Sequence, residues 1–188
     1  MNKNTHQIRW LNSNHDWGVV MITIHWVSAL TIFGMFGLGL WMVELNYYDV
    51  WYHKAPDLHK SIGITLFILT LLRLLWRLFN RCPLPLETHG YQEIRLAMSM
   101  HNFLYVMLIS IMLSGYLIST ADGHAISVFS SVQIPSLING AERQEDVAGI
   151  VHLWLAAGFI GMVLLHSLAT VKHHFFDRDR TLKRMFGF

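Results

Sequence analysis

Four long apolar stretches are the feature that most restricts how this 188-residue chain can fold. They cover residues 19–42, 59–79, 96–118 and 148–171, and none of them contains Asp or Glu. A helix of about 20 residues crosses the apolar core of a bilayer, so each stretch is long enough to span it. Charged residues make up only 14% of the chain, against about 25% in soluble domains. Too little polar surface is therefore present to cover four buried helices, and we predict an all-α, integral membrane four-helix bundle formed by residues 1–188 as one domain.

The connections between the stretches contain residues that end helices. Pro83 and Pro85 follow the second stretch and would stop its helix. Asp57 precedes that stretch and is a candidate cap for its N-terminus. The longest connection, residues 119–147, includes an apolar piece at residues 126–129 that we expect to lie at the mouth of the bundle.

Lysine and arginine are unevenly distributed between the two sides of this predicted bundle. One side has only Lys54, Lys60 and Arg143, whereas the other has eleven basic residues: Lys3, Arg9, Arg73, Arg77, Arg81, Arg95, Lys172, Arg178, Arg180, Lys183 and Arg184. Because basic loops stay in the cytoplasm, both termini are predicted to be cytoplasmic. The first stretch is too long for a cleaved signal peptide. The net charge of +2 is too small to indicate a nucleic-acid partner.

Histidine is the main chemical clue, with twelve residues in the chain. The single cysteine, Cys82, excludes an intrachain disulfide, a cysteine-ligated iron–sulfur cluster and the covalent attachment of a c-type haem. Ionisable side chains inside a membrane are costly and usually functional. This singles out the histidines within or at the ends of the apolar stretches, which are His25, His59, His101, His152 and His166.

The spacing of these histidines places them at two depths. His152 and His166 are 14 residues apart, so they lie about 21 Å apart along one helix and within about 40° of the same face. With the N-terminus inside, His25 lies at the cytoplasmic depth of His166, and His59 lies at the opposite depth with His152. A bis-histidine haem needs two imidazoles from facing helices at one level. The pattern therefore predicts two haems of b type, each iron bound by one of these pairs.

Neighbouring residues are compatible with a porphyrin. Small residues follow three of the histidines by one turn, and these are Ala29, Gly63 and Ala156. Arg73 lies 14 residues after His59 and so reaches the cytoplasmic depth, where it either pairs with a haem propionate or extends to the membrane surface.

Other histidines leave alternatives open. His101 is a rival ligand at the cytoplasmic depth, and His53 is the corresponding rival for His59. His173 and His174 would touch a haem edge, contact a quinone or face solvent, whereas His89 is interpreted as a loop residue. A haem-free proton or metal carrier would also use histidines at two depths, but it would normally bring acidic partners that these stretches lack.

Short motifs distributed along the chain resemble the bacterial cytochrome b561 family. They are Ile24-His25-Trp26, Leu58-His59-Lys60-Ser61-Ile62-Gly63, Leu72-Arg73-Leu74-Leu75-Trp76-Arg77, Gly115-Tyr116-Leu117-Ile118-Ser119, Val151-His152-Leu153-Trp154-Leu155-Ala156, Leu165-His166, Lys172-His173-His174-Phe175-Phe176 and Thr181-Leu182-Lys183-Arg184-Met185. The resemblance covers about residues 17–185. It implies a four-span dihaem cytochrome of the bacterial inner membrane, with His25 and His166 on one haem and His59 and His152 on the other.

The resemblance also implies a function. Members of this family pass electrons between membrane quinone and a one-electron partner, and one branch oxidises superoxide at the periplasmic face and reduces ubiquinone. Other membrane subunits connect hydrogenases or periplasmic reductases to the quinone pool, and no residue here selects between these branches. We therefore expect transmembrane electron transfer through two haems b, with ubiquinone as substrate, membrane lipid as surroundings and a periplasmic electron donor or acceptor. Lys60 would neutralise a haem propionate or, with Lys54, attract superoxide.

Overall fold

Four long helices make up most of the molecule. The computed structural model describes residues 9–187, so Lys3 of the charge count lies outside the described residues. The elements in chain order are α1 (Val19–Met42), α2 (Lys54–Phe79), α3 (Tyr91–Ser119), β1 (Ile126–Val128), β2 (Val132–Ile134), α4 (Gln144–Phe175) and α5 (Thr181–Arg184). All four long helices are long and apolar enough to cross a membrane.

The long helices run up and down in sequence and form a closed bundle. α1 packs mainly against α2 and α3 mainly against α4, while contacts of α2 with α3 and of α1 with α4 complete the ring. One end of the bundle, here called the terminal end, holds residues 9–18, 80–90 and 176–187. The opposite, hairpin end holds residues 43–53 and 120–143. At the terminal end Asn12 Nδ2 donates to the Arg81 carbonyl oxygen at 2.7 Å, and Trp26 Nε1 donates to the Met185 carbonyl oxygen at 2.8 Å.

The distribution of buried residues is that of a membrane protein. At most 11% of the most apolar part of each long helix is buried inside the protein, and leucine and phenylalanine side chains cover the outside. The buried polar positions are largely small hydroxyl residues on the helices, such as Ser28, Ser61, Thr70 and Ser114. Small residues let helix backbones approach closely where lipid, rather than water, surrounds the bundle. The expected four-span helical bundle is thus confirmed.

The helices α2, α3 and α4 extend a few residues beyond the predicted stretches, and the expected cap of α2 was wrong. Asp57 does not cap this helix, because α2 begins at Lys54 and His53 occupies the N-cap position without a side-chain hydrogen bond. Pro56 is tolerated in the first turn, where its missing N–H group has no helical partner to lose. Asp57 instead lies in that turn, where a carboxylate is favourable next to the helix dipole, and it forms an ion pair with Lys60 at 2.8 Å.

A small β-hairpin in the connection between α3 and α4 departs from the all-α prediction. β1 and β2 pair antiparallel, with Val128 opposite Val132. Phe129 and Ser130 form the turn with φ values of 47° and 58°. Such turns are usually signalled by Asn-Gly, so the sequence carried no warning of this hairpin. The Phe129 N–H group donates to Ser61 Oγ at 3.0 Å and thereby anchors the hairpin on α2. Ile126 is buried at the mouth of the bundle, where we expected it.

Candidate functional site

His59 and His152 face each other near the hairpin end. His59 lies in the second turn of α2 and His152 in the third turn of α4, and their ring centroids are 6.3 Å apart. A metal–imidazole bond of about 2.0 Å, with each ring centre about 1 Å beyond its nitrogen, separates two axial rings by about 6 Å. The distance between these two side chains therefore suits one metal ion bound between them.

A large apolar cavity surrounds this histidine pair. Its volume is about 750 Å³, and both rings line it together with apolar side chains from all four long helices. Cavities of about 300–1,000 Å³ hold organic ligands of moderate size. The cavity therefore offers both the space and the apolar walls that a porphyrin ring requires.

The ring of His152 is held in the tautomer that binds metals. Its Nδ1 atom lies 2.9 Å from the carbonyl oxygen of Ile111 on α3, and Ser114 Oγ lies 3.1 Å from the same nitrogen. Because a carbonyl oxygen only accepts hydrogen bonds, Nδ1 must carry the proton. The neutral ring then has an unprotonated Nε2, and a histidine that donates its other N–H to a backbone carbonyl is the usual metal-ligating arrangement.

Glycines on neighbouring helices make room for both rings. A Cβ atom added to Gly39 on α1 would lie 3.3 Å from Cε1 of His59, and one added to Gly115 on α3 would lie 3.1 Å from Cε1 of His152. The Nδ1 atom of His59 is buried and makes no hydrogen bond to any described residue. Because the Nδ1–Cε1 edge of His59 lies against Gly39, Nε2 is the ring nitrogen available to a metal, and the residues of this end fit a bis-histidine haem.

Three histidines and an arginine converge near the terminal end. The rings of His101 and His166 lie 5.3 Å apart. Arg73 Nη2 donates to Nδ1 of His25 at 2.8 Å, and the Arg73 guanidinium also lies over the ring of Tyr105. His25 is close enough to His101 and His166 to interact with both electrostatically. The structure thus brings the predicted residues of this depth together and adds His101 to them.

The terminal end resembles a metal-binding site less closely than the hairpin end does. Because Nδ1 of His25 accepts the hydrogen bond from Arg73, the neutral ring carries its proton on Nε2. The ring of His166 lies against that of His101, with 5.3 Å between the ring centroids. The sequence pointed to His101 only as a rival, because helical spacing gives its depth but not the direction in which α3 is rotated.

The charges at the mouth of the cavity differ from the expectation for Lys60. Lys60 lines the cavity, but its charge is offset by Asp57 at 2.8 Å. Asp122 and Glu145 also line the cavity and add negative charge. His124 accompanies Asp122, with 2.9 Å between its Nδ1 and a carboxylate oxygen, and the backbone and side chain of His124 hold the pKa of Asp122 below its ordinary value. The Asp122 carboxylate is therefore ionised at neutral pH.

These observations define a class of protein: a four-helix membrane bundle with histidine groups near both ends and a porphyrin-sized cavity at one of them. The chain belongs to the prokaryotic cytochrome b561 family, whose model matches residues 16–188. It is accordingly a multi-pass protein of the bacterial inner membrane that binds haem b and takes part in membrane electron transfer.

Three relatives accompany this family match. The chain is 48% identical to "Cytochrome b561 homolog 2" of Escherichia coli K12 over 176 residues, which is 94% of each chain. It is 27% identical to "Probable superoxide oxidase CybB" of Yersinia pestis over 167 residues, covering 88% of this chain and 93% of the relative. It is 22% identical to "Cytochrome b561 homolog 1" of Escherichia coli K12, with 87% and 93% covered.

Proposed function

We propose that the chain carries electrons across the membrane through two b-type haems, one held by His59 and His152 and the other by His25 and His166. The partners would be membrane quinone, with ubiquinone as the expected substrate, and a one-electron partner at the periplasmic face. The observation on which this proposal chiefly rests is the facing pair His59 and His152, 6.3 Å apart in an apolar cavity of about 750 Å³.

At the hairpin end the protein's contribution is to fix the ligands and exclude water. Ile111 and Ser114 orient the ring of His152, and Gly39 and Gly115 leave space beside the two imidazoles. A haem with two imidazole ligands supplies one-electron iron chemistry with no free position for a substrate. The apolar walls and the charges near the ring would then set the reduction potential.

At the terminal end we retain His25 and His166 as ligands, as the resemblance implies. A neutral His25 can offer Nε2 to a metal only if the proton moves from Nε2 to Nδ1, and this change breaks the hydrogen bond from Arg73. A released Arg73 guanidinium is well suited to a haem propionate, since arginine binds carboxylates through two parallel hydrogen bonds. The contact between His101 and His166 supports the rival pairing, and substitutions can separate the two.

The proposed orientation places the terminal end in the cytoplasm and the hairpin end in the periplasm. It is supported by the excess of lysine and arginine on the segments that form the terminal end, including Arg81, Arg178, Arg180 and Lys183. A partner in the periplasm would then exchange electrons with the haem of His59 and His152. Electrons would pass between this haem and the one at the cytoplasmic depth, in either direction.

Superoxide is one candidate for the periplasmic partner, because a relative is described as a probable superoxide oxidase. The charges at the mouth of the cavity would do little to attract superoxide, since Lys60 is paired with Asp57 and both Asp122 and Glu145 line the cavity. A protein donor, as in a larger reductase or hydrogenase complex, fits the same haem arrangement. Turnover of the isolated chain distinguishes a stand-alone enzyme from such a subunit.

The test is to purify the chain in detergent and record reduced-minus-oxidised spectra together with the pyridine haemochrome. Two low-spin b haems per chain are expected, and a ubiquinone analogue should oxidise them after chemical reduction. A measured content of one haem per chain would show that His25 and His166 do not hold a second haem. A colourless protein from haem-sufficient cells would overturn the dihaem proposal and favour the haem-free proton or metal carrier.

A further inference from the structure

A second group of ligand-type side chains lies outside the membrane spans at the terminal end. His89 comes from the connection between α2 and α3, His173 from the last turn of α4, and Asp179 from the segment that follows α4. Asp179 Oδ2 lies 2.8 Å from Nε2 of His89 and 3.3 Å from Nδ1 of His173. All three ligand atoms lie within 4.8 Å of one another.

Asp179 is buried, both histidines are half-buried, and backbone hydrogen bonds hold the group. The exposed fractions of the side chains are 17% for His89, 19% for His173 and 3% for Asp179. The Asp179 N–H group donates to the His173 carbonyl oxygen at 3.1 Å, and Asp179 Oδ1 accepts from the Thr181 N–H group at 2.8 Å. One carboxylate oxygen is therefore used to fix the segment, and the other, Oδ2, points at the two imidazoles.

The carboxyl group of Asp179 is the most deeply buried member of the group. Carboxylates are rarely this buried unless they are paired with a positive charge. A metal ion bound to the two imidazoles and this carboxylate would supply that charge.

Two of the ligand atoms are separated as they would be around a tetrahedral metal ion, whereas Asp179 Oδ2 and His89 Nε2, 2.8 Å apart, lie at hydrogen-bond distance. Metal bonds of about 2.0–2.2 Å to imidazole nitrogen and carboxylate oxygen place tetrahedral ligand atoms about 3.4 Å apart, close to the 3.3 Å between Asp179 Oδ2 and His173 Nδ1. His173 Nδ1 is buried, and a second carboxylate oxygen, of Asp177, lies 2.8 Å from it. Two carboxylate oxygens therefore lie within 3.3 Å of this ring nitrogen.

We propose that His89, His173 and Asp179 bind one divalent transition-metal cation, with Zn²⁺ as the best match. Two imidazoles and one carboxylate are a common zinc ligand set, and imidazole also suits nickel and copper. Asp177 is the nearest fourth ligand and would have to leave Lys172, whose Nζ lies 2.8 Å from the same oxygen. The cation would join two parts of the chain that are far apart in sequence, His89 and the segment from His173 to Asp179, and this inference is independent of the haem ligands.

The experiment is a zinc titration of the full-length chain, isolated with its haem through an affinity tag that contains no histidine. After treatment with EDTA, ZnCl₂ is added in a calorimeter to the wild type and to His89→Gln, His173→Gln and Asp179→Asn. We expect one Zn²⁺ per chain and at least a tenfold loss of affinity in each variant, because losing groups that only support a metal ligand already costs about 10–100-fold. His124→Gln is the matched control, since His124 and Asp122 form an exposed histidine–aspartate pair, and it should bind like the wild type.

A second measurement keeps the test decisive if a variant does not fold. Zinc X-ray absorption of the wild type with one equivalent of Zn²⁺ should show two imidazole ligands and at least one oxygen ligand. Affinity unchanged in all three variants, or a zinc environment without two imidazoles, would overturn the proposal. The group would then be a hydrogen-bonded contact that joins the C-terminal segment to the bundle without a metal.

Discussion

Ile111 determines which nitrogen of His152 is free. The carbonyl oxygen of Ile111 lies 2.9 Å from Nδ1 of His152, and four residues later on the same helix Gly115 leaves the ring its space. One turn of α3 therefore sets both the tautomer and the position of an imidazole on α4. This second-layer support is what a metal-ligating histidine requires.

The first prediction concerns the histidine pair at the hairpin end. His59→Ala and His152→Ala should each abolish the same haem and leave the other, because each removes one of two facing imidazoles. Haem content by pyridine haemochrome should fall by half, and the same spectral component should disappear in both variants. His53→Ala is the control, and its haem content should equal that of the wild type. Loss of different components in the two variants would show that these histidines do not share a haem.

The second prediction separates the histidines at the terminal end. If His25 and His166 are the ligands, His25→Ala and His166→Ala lose the second haem, whereas His101→Ala keeps it. A neighbouring imidazole still influences a haem, so His101→Ala should shift the midpoint potential measured by redox titration. Loss of this haem in His101→Ala, with retention in His25→Ala, would replace our assignment by the pair of His101 and His166.

The third prediction concerns the glycines beside the imidazoles. Gly39→Val and Gly115→Val should lower the occupancy of the haem at the hairpin end, since even a Cβ atom would lie 3.3 Å or 3.1 Å from a histidine ring. Gly37→Val is the control, because Gly37 lies on α1 with open space around it. Equal haem spectra in all three variants would contradict a role for these glycines in ligand placement.

The fourth prediction concerns the stability of the terminal end. A Cβ atom on Gly18 would lie 2.8 Å from the carbonyl oxygen of Leu11 and closer still to the backbone of Trp10. Gly18→Ala must therefore displace the segment that packs before α1, at a cost of about 1–3 kcal/mol. Thermal unfolding in detergent, followed by circular dichroism, should show a lower midpoint. Gly34→Ala has nothing within 4 Å, and its midpoint should be unchanged or raised, since alanine favours helix.

The fifth prediction concerns superoxide as a substrate. If the isolated chain oxidises superoxide, the rate should stay the same or rise modestly between low and high salt, because Asp122 and Glu145 at the cavity mouth repel an anion and salt screens that repulsion. Stopped-flow kinetics over a range of NaCl concentrations measures this dependence. A steep fall of the rate with salt would reveal a positive surface that draws superoxide in, and Lys54→Gln would then test its source.

Much of the fold could be predicted because its determinants are local. The length and hydropathy of each stretch predicted the four spans, and α1 coincides with residues 19–42. Helical periodicity also predicted the two depths, since 14 residues separate His152 from His166 and also His59 from Arg73. The contact between Arg73 and His25 lies at the depth given by that spacing. That these histidines bind haem iron remains a prediction.

The tertiary structure alone decided which side chains meet. Periodicity gives the depth of a residue but not the rotation of its helix, so the contact of His101 with His166 could not be read from spacing. The hairpin could not be predicted because its turn has no Asn-Gly signal. Phe129 and Ser130 adopt positive φ values there, and the hydrogen bond from Phe129 to Ser61 on α2 holds the turn in place. His89 and Asp179 are 90 residues apart and meet at 2.8 Å only because the bundle brings the two segments to one end. Such contacts depend on the sum of packing across the whole bundle, which no local stretch of sequence contains.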